Sequence, residues 1–258
     1  IRTKSRAFAQ GDPRLKDNRI QAVILAGGLG TRLRPYTFLL PKAMLPVGPK
    51  PIMEHLLEWL KKWGITDVVV STGYLGKMIQ EYFGDGSEWG VKISYATSPH
   101  PLGTAGQLKS AESKIRGRFV CLYGDQLFDF DLGKAIGFHQ KKRASATMVL
   151  MKYSTELKYG FMETDRDGRL VEWKEKPTIS GFINIGCYVM EKGFLKYLKA
   201  GRVYEMNDAF KEAKGAGAKI YAAKAEGTFM DIGDRKSFKD ANDLYTRNMP
   251  KGDIGRRK

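Results

Sequence analysis

From residue 20 onward the hydrophobic positions follow two alternating rhythms. Short apolar or β-branched runs at Gln21–Ala26, Asp67–Thr72, Lys92–Ala96, Phe119–Tyr123, Ala146–Lys152 and Gly181–Met190 read as strands. Between most of them, apolar residues recur every three or four positions. This predicts helices over about Pro51–Trp63, Leu75–Phe83, Thr104–Ile115, Leu132–Lys142, Lys192–Lys199, Asn207–Gly215 and Arg235–Tyr245. In the first of these, Pro51 suits an opening turn, Ile52, Leu56, Leu57 and Leu60 form one stripe, and Gly64 marks the stop. Such alternation builds βαβ units, and strands that are apolar on both faces need helices on both faces of their sheet. The expected class is therefore α/β, with a mixed, mainly parallel sheet. The stretch Gly160–Lys174 breaks the rhythm, and its Asp167-Gly168 pair predicts an antiparallel hairpin inserted after the fifth sheet strand.

Composition narrows the class further. A chain of 258 residues that is 42% hydrophobic can bury a substantial core. No apolar run approaches the roughly 18 residues of a membrane helix, and no apolar signal core opens the chain, so a soluble protein with no membrane partner is expected. Cys121 and Cys187 both lie in strand-like runs, which points away from a disulfide framework and toward a reducing cytoplasm. The net charge of +16 invites a nucleic-acid reading, but residues 1–19 and 247–258 supply half of it. The body has no helix-turn-helix, zinc knuckle or aromatic ribonucleoprotein strand, so no specific nucleic-acid partner is expected. Without internal repeats or low-complexity linkers, the partition is a basic tail at 1–19, one domain at 20–246 and a second basic tail at 247–258. Self-association as a homo-oligomer stays open.

The candidate chemistry begins where the first strand ends. Ala26-Gly27-Gly28-Leu29-Gly30-Thr31-Arg32-Leu33-Arg34-Pro35 is a glycine turn, in which missing Cβ atoms let backbone N–H groups approach a phosphate. A dinucleotide fingerprint would need glycine where Leu33 stands, and no Gly-Lys-Ser/Thr comes next in the spacing of a P-loop. The next cation along the chain is instead Lys42, held between Pro41 and Pro46. Two readings stay open on residue types alone. Arg32, Arg34 and Lys42 are either the cations of a triphosphate cradle or surface charges around an ordinary turn.

At these residues the chain resembles the sugar-1-phosphate nucleotidylyltransferases, over about residues 20–246. The resemblance is carried by Gly28 to Pro35, Lys42 to Val47, Lys50-Pro51, Pro101-Leu102-Gly103-Thr104-Ala105-Gly106, Gly124-Asp125, Glu175-Lys176-Pro177 and Asp231-Ile232-Gly233. It implies a Rossmann-like nucleotide-diphospho-sugar transferase fold. The implied reaction is Mg²⁺-dependent transfer of a nucleoside monophosphate from a nucleoside triphosphate to a sugar 1-phosphate, with release of pyrophosphate. Arg32 and Lys42 are then the catalytic cations, at the β- and γ-phosphates and at the α-phosphate. Ala26, Gly27, Gly28, Gly30, Thr31, Gly103 and Thr104 would bind the nucleotide, Gly160, Glu175, Lys176 and Asn184 the sugar phosphate, and Asp125 and Asp231 the metal.

The nearby Asp129 and Asp131 are expected to be turn or helix-cap residues. The histidines His55, His100 and His139 are too scattered to suggest zinc. The family commonly has Asn-Ala-Gly or Asn-Gly-Gly where this chain has Asn184-Ile185-Gly186, a small departure that bears on sugar preference. Many relatives carry a long C-terminal β-helical domain, which is not expected in the 27 residues after Asp231. Among the branches, the run 101–106 and the stretch Tyr123–Asp129 look most like guanylyltransferases acting on mannose or manno-configured heptose 1-phosphates. The alternatives are the same reaction with dTTP, UTP or CTP on glucose 1-phosphate, or a catalytically silent nucleotide-sugar-binding subunit.

Overall fold

Alternation along the first strand sets the layering. Ala22 and Ile24 face one side of the sheet, Val23 and Leu25 the other, and all four are buried. The computed structural model describes residues 20–98 and 100–248. In chain order the elements are β1 (Gln21–Ala26), α1 (Tyr36–Leu39), β2 (Pro46–Val47), β3 (Lys50–Pro51), α2 (Ile52–Lys62), β4 (Asp67–Thr72), α3 (Gly76–Phe83), β5 (Lys92–Thr97), α4 (Gly103–Ser110), β6 (Phe119–Tyr123) and β7 (Gln126–Phe130). They continue with α5 (Leu132–Lys142), β8 (Ala146–Glu156), β9 (Phe161–Thr164), β10 (Leu170–Lys174), β11 (Thr178–Met190), α6 (Met206–Gly215), β12 (Ile220–Ala225), β13 (Gly227–Asp231) and α7 (Arg235–Asn248).

The central sheet has seven strands in the order β12-β8-β11-β6-β1-β4-β5. All neighbours pair in parallel except β11, which runs antiparallel to both β6 and β8. This is the expected mixed, mainly parallel sheet. One face packs Leu56, Leu57 and Leu60 of α2, Ile79 of α3 and Ile136 of α5. The other packs Leu108 of α4 and Phe210 and Ala213 of α6 against Val23, Val69 and Tyr188. The expected hairpin is the β9–β10 pair, which with the exposed outer halves of β8 and β11 forms a projecting arm.

Several local expectations need correction. The helix expected over Thr104–Ile115 ends at Ser110 and gives way to a 3₁₀ turn at Glu112–Lys114, and Lys192–Tyr197 is 3₁₀ rather than α. Pro51 stands at the cap position before α2 rather than in its first turn. Asp131 does cap α5, accepting from Lys134 N at 2.9 Å, but Asp129 is neither turn nor cap and lies within β7. The tail at 1–19 lies outside the described residues, as does the second tail apart from residues 247 and 248, which complete α7.

His139 of α5 is a buried structural residue. It is 1% exposed, with Nδ1 2.9 Å from Thr147 Oγ1 and Nε2 3.3 Å from Glu191 Oε1, which also accepts from Arg118 Nε at 2.7 Å. Burial holds its pKa below the ordinary imidazole value, with Glu191 working in the opposite sense. The unfolded chain therefore takes up this proton at higher pH than the folded one. The associated stability is complete above the ordinary imidazole pKa and is lost as pH falls through it toward the folded value. Thermal melts should show Tm declining from about pH 7 to about pH 5, and His139→Gln should flatten that stretch of the curve. An unchanged slope in the variant would remove His139 as its source.

Candidate active site

Parallel pairing of β1 and β6 brings two strand ends together, with Leu25 opposite Tyr123 and Gly124 N donating to Leu25 O at 2.9 Å. The glycine turn follows β1, and Asp125 follows β6, at the carboxyl edge where open α/β sheets hold their ligands. A two-stranded ribbon then brings in the second acid. β7 pairs antiparallel with β13, Gln126 lies opposite Asp231, and Ile232 N donates to Asp125 O at 2.9 Å.

Both cations sit on short anchored turns. Arg32 lies in a 3₁₀ turn at Thr31–Leu33 and Lys42 in another at Lys42–Met44. Leu33, Leu45, Val47, Ile52, Ile232 and Ala241 form one small core beneath them, so the packing that fixes Arg32 also fixes the residue next to Asp231. The Lys42 ammonium pairs with Asp125 Oδ2, and the two side chains are only 15% and 24% exposed. Arg32 lies alongside Asp231, since a Cβ on Gly233 would stand 3.2 Å from an Arg32 Nη and 3.2 Å from Asp231 Oδ2.

A cleft of about 380 Å³ is lined by Arg32, Asp125, Asp231 and Asn184. It is also lined by Tyr123, Gln126, Gly186 and Asn207, to which the sequence reading assigned no role. Gln126 is 5% exposed and its Oε1 has no partner, a buried acceptor left for a ligand. Asp231 is open to solvent on one side and crowded by protein on the other. Desolvation first, then repulsion by Asp125, raises its pKa above the ordinary carboxylate value, while Lys42 and Arg32 pull it down.

These carboxylates suit a hard cation. Asp125 Oδ1 is buried with no partner, and Asp231 faces a like charge that a divalent ion would relieve. Among the described residues no group of three or more His, Cys, Asp or Glu side chains gathers, so an ion here needs phosphate or water oxygens to complete its shell.

The other expected residues divide into two groups. Ala26 and Gly27 are buried, Gly28 and Thr31 exposed and Gly30 half-buried, and the Gly27 N–H is already taken by Gln107 Oε1 at 2.8 Å. Gly103 opens α4 with φ +67°, and a Cβ there would meet Tyr204 O at 2.3 Å, so this position admits only glycine. Thr104 ties the start of α4 to α6. Its hydroxyl donates to Glu205 Oε2 at 2.7 Å and accepts from Met206 N at 2.7 Å, and its N–H reaches Glu205 Oε2 at 3.2 Å.

Gly160, Glu175 and Lys176 lie on the arm and are not part of the cleft lining. Glu175 Oε2 is 3.1 Å from the Cβ position of Gly160, and Lys176 holds φ +43°, a left-handed conformation rare for lysine.

A strand-end glycine turn, two cations on short turns and a pair of carboxylates joined by an antiparallel ribbon are thus gathered at one end of the sheet. The chain belongs to the nucleotidyl transferase family, whose model matches residues 21–248. It is 36% identical over 233 residues to a UTP–glucose-1-phosphate uridylyltransferase of Synechocystis, covering 83% of this chain and 60% of the relative's own length. It is 35% identical over 224 residues to a D-glycero-alpha-D-manno-heptose 1-phosphate guanylyltransferase of Aneurinibacillus thermoaerophilus, covering 86% of this chain and 96% of that one. Among solved structures, one from Bacillus anthracis named as a glucose-1-phosphate thymidylyltransferase superposes with a TM-score of 0.71 at 27% identity, covering 90% of this chain and 96% of that chain. Among the described residues no helix is long and apolar enough to cross a membrane.

Proposed function

We propose that this chain transfers a nucleoside monophosphate from a nucleoside triphosphate to a sugar 1-phosphate, releasing pyrophosphate. The observation that carries the reading is the convergence of Arg32, Asp125 and Asp231 on one cleft, with Lys42 paired to Asp125 and the other Asp125 carboxylate oxygen buried and unpaired. The sugar phosphate and the α-phosphate are both anionic, and their approach requires positive charge between them. Lys42, half-buried and limited in its excursions by its turn, supplies a fixed charge at the α-phosphate. Arg32, more exposed, stabilises the β- and γ-phosphates and the departing pyrophosphate. Asp125 and Asp231 would hold Mg²⁺, which when bound neutralises phosphate charge and orients the two substrates.

The first turn of α4, at Gly103 and Thr104, takes the base. Glu175, Lys176 and Gly160 on the arm, with Asn184 on the cleft, take the sugar phosphate. Lys176 in its left-handed conformation is a backbone outlier of the kind that clusters at ligand contacts.

GTP and a manno-configured sugar 1-phosphate are the favoured pair. Support comes from the likeness of the 101–106 run to the guanylyl branch and from the heptose guanylyltransferase that matches nearly end to end. The Synechocystis relative is a uridylyltransferase, so the base is the point to test. With all four nucleotides competing in one reaction over a panel of hexose and heptose 1-phosphates, GTP should be used at least tenfold better than UTP, dTTP or CTP. That margin is only about 1.4 kcal/mol in transition-state binding. A dominant pyrimidine-nucleotide sugar would overturn the guanine assignment, and absence of pyrophosphate release from every pairing would overturn the activity.

A further inference from the structure

The arm builds strands without a core of its own. β9 pairs only with β10, every residue of β9 is exposed, and in β10 only Glu172 is half-buried, so both faces of this hairpin meet water. None of the three apolar cores takes a residue from between Lys152 and Phe182. A two-stranded hairpin packed against nothing is marginally stable in water.

The composition of the arm is nevertheless that of a packed element. Of the 17 large apolar side chains exposed among the described residues, nine lie between Tyr153 and Phe182. Tyr159 is 81% exposed, Val171 65% and Trp173 64%. Apolar residues scattered singly over a surface need no explanation, but a concentration of this kind marks an interface. At about 200 Å² each, the five aromatic side chains among the nine offer roughly 570 Å² per copy at these exposures. With the aliphatic ones added, the total reaches the scale of the ~800 Å² per partner of a standard interface.

Charge decides what covers this surface. Between Lys152 and Phe182 six basic residues stand against six acidic ones, so the arm is neutral and the rest of the chain carries the whole +16. Two copies meeting through their bodies would repel. Two arms meet without net repulsion, and their mixed signs let the basic residues of one face the acidic residues of the other across a two-fold axis. An acidic partner would be drawn to the basic body instead. The arm's own cleft does not suit it either, since Arg32, Asp125, Asp231, Asn184 and Gln126 give apolar side chains nothing to pack against.

We propose that the arm is the dimerisation element of this protein, with the β9–β10 hairpins of two copies packed on each other about a two-fold axis. Val171 and Trp173 are then central contacts.

Light scattering and sedimentation of the full chain at micromolar concentration, in about 0.15 M and about 1 M salt, test this. A species of twice the chain mass is expected, tighter at the higher salt, because screening weakens repulsion between the basic bodies and leaves apolar burial intact. Val171→Lys and Trp173→Ser should each weaken dimerisation at least a hundredfold, since each substitution enters a two-fold interface twice and a central contact is worth roughly tenfold or more each time. Both residues are outside the cores, so circular dichroism of the variants should match the wild type. Leu39→Lys, at a body residue that is 76% exposed, should leave the mass of the dimer unchanged. A wild type that is monomeric in both salts overturns the inference. Rapid proteolysis of the arm in that monomer would leave the surface to a different protein, and resistance would mean that it folds against its own chain. A dimer that both arm variants leave intact overturns it equally, and neither result depends on the proposed reaction.

Discussion

Asp125→Asn is expected to remove Mg²⁺-dependent pyrophosphate release by roughly a thousandfold or more, a barrier increase of about 4 kcal/mol. The substitution conserves shape, so the loss is chemical. Asp125 Oδ1 is the buried oxygen without a partner, and an amide offers a cation only a neutral oxygen there or turns its N–H₂ toward it. The change also leaves the Lys42 ammonium without its counter-charge. Asp231→Asn should lose nearly as much.

The pH dependence separates the two acids. Asp231 must be ionised to serve, and its pKa is raised, so kcat/KM of the free enzyme falls as pH drops through a value higher than that of an ordinary aspartate. Removing the Asp125 charge relieves the repulsion and should move the acid limb of any residual activity to lower pH. Measurement of pyrophosphate release against Mg²⁺ concentration and pH, with a chelator control, checks both statements. Activity within tenfold of wild type in both variants, or a wild type indifferent to chelator, would dismiss the two-carboxylate site.

The sheet was legible because its strands are apolar on both faces, as in Ala22 to Ala26 and Val68 to Val70, and the arm hairpin because Asp167-Gly168 is a strong turn signal. The ribbon that joins the two acids was not assigned. β7 and β13 are five residues each and are separated by the arm and α6, so neither stands out locally, although Phe128 and Phe130 do alternate inward. The pairing of Asp125 with Asp231 therefore entered the reading through family resemblance. Gln126 and Asn207 had no signal at all, being neutral amides whose role comes only from what the fold places around them. The antiparallel direction of β11 was equally invisible, since hydrophobic pattern does not carry strand direction and the arm that reverses the chain is itself exposed.

The second large effect is expected at the cations, where Arg32→Ala and Lys42→Ala should each lower turnover at least a hundredfold with the fold intact. Removing one preorganised group that stabilises developing charge costs ~2.7–4 kcal/mol at comparable sites. The fold should survive because the anchors are Leu33, Leu45 and Ile232 in the small core beneath, not the charged tips. The two variants should nonetheless differ. Lys42 lowers the pKa of Asp231 and pairs with Asp125, so its loss leaves Asp125 without its counter-charge and Asp231 with Arg32 alone. Lys42→Ala should therefore move the acid limb of the pH profile upward and retain or strengthen binding of the divalent ion, even as turnover collapses. Arg32 also lowers the pKa of Asp231, but less than Lys42 does, and it is the more exposed of the two. Arg32→Ala should accordingly shift the acid limb less and appear chiefly as weaker binding of the triphosphate and of pyrophosphate in the reverse reaction. Initial rates in both directions against pH, with divalent-ion affinity measured by calorimetry, distinguish the two roles. Near-normal turnover in either variant would reject the assignment of that residue to a triphosphate cradle.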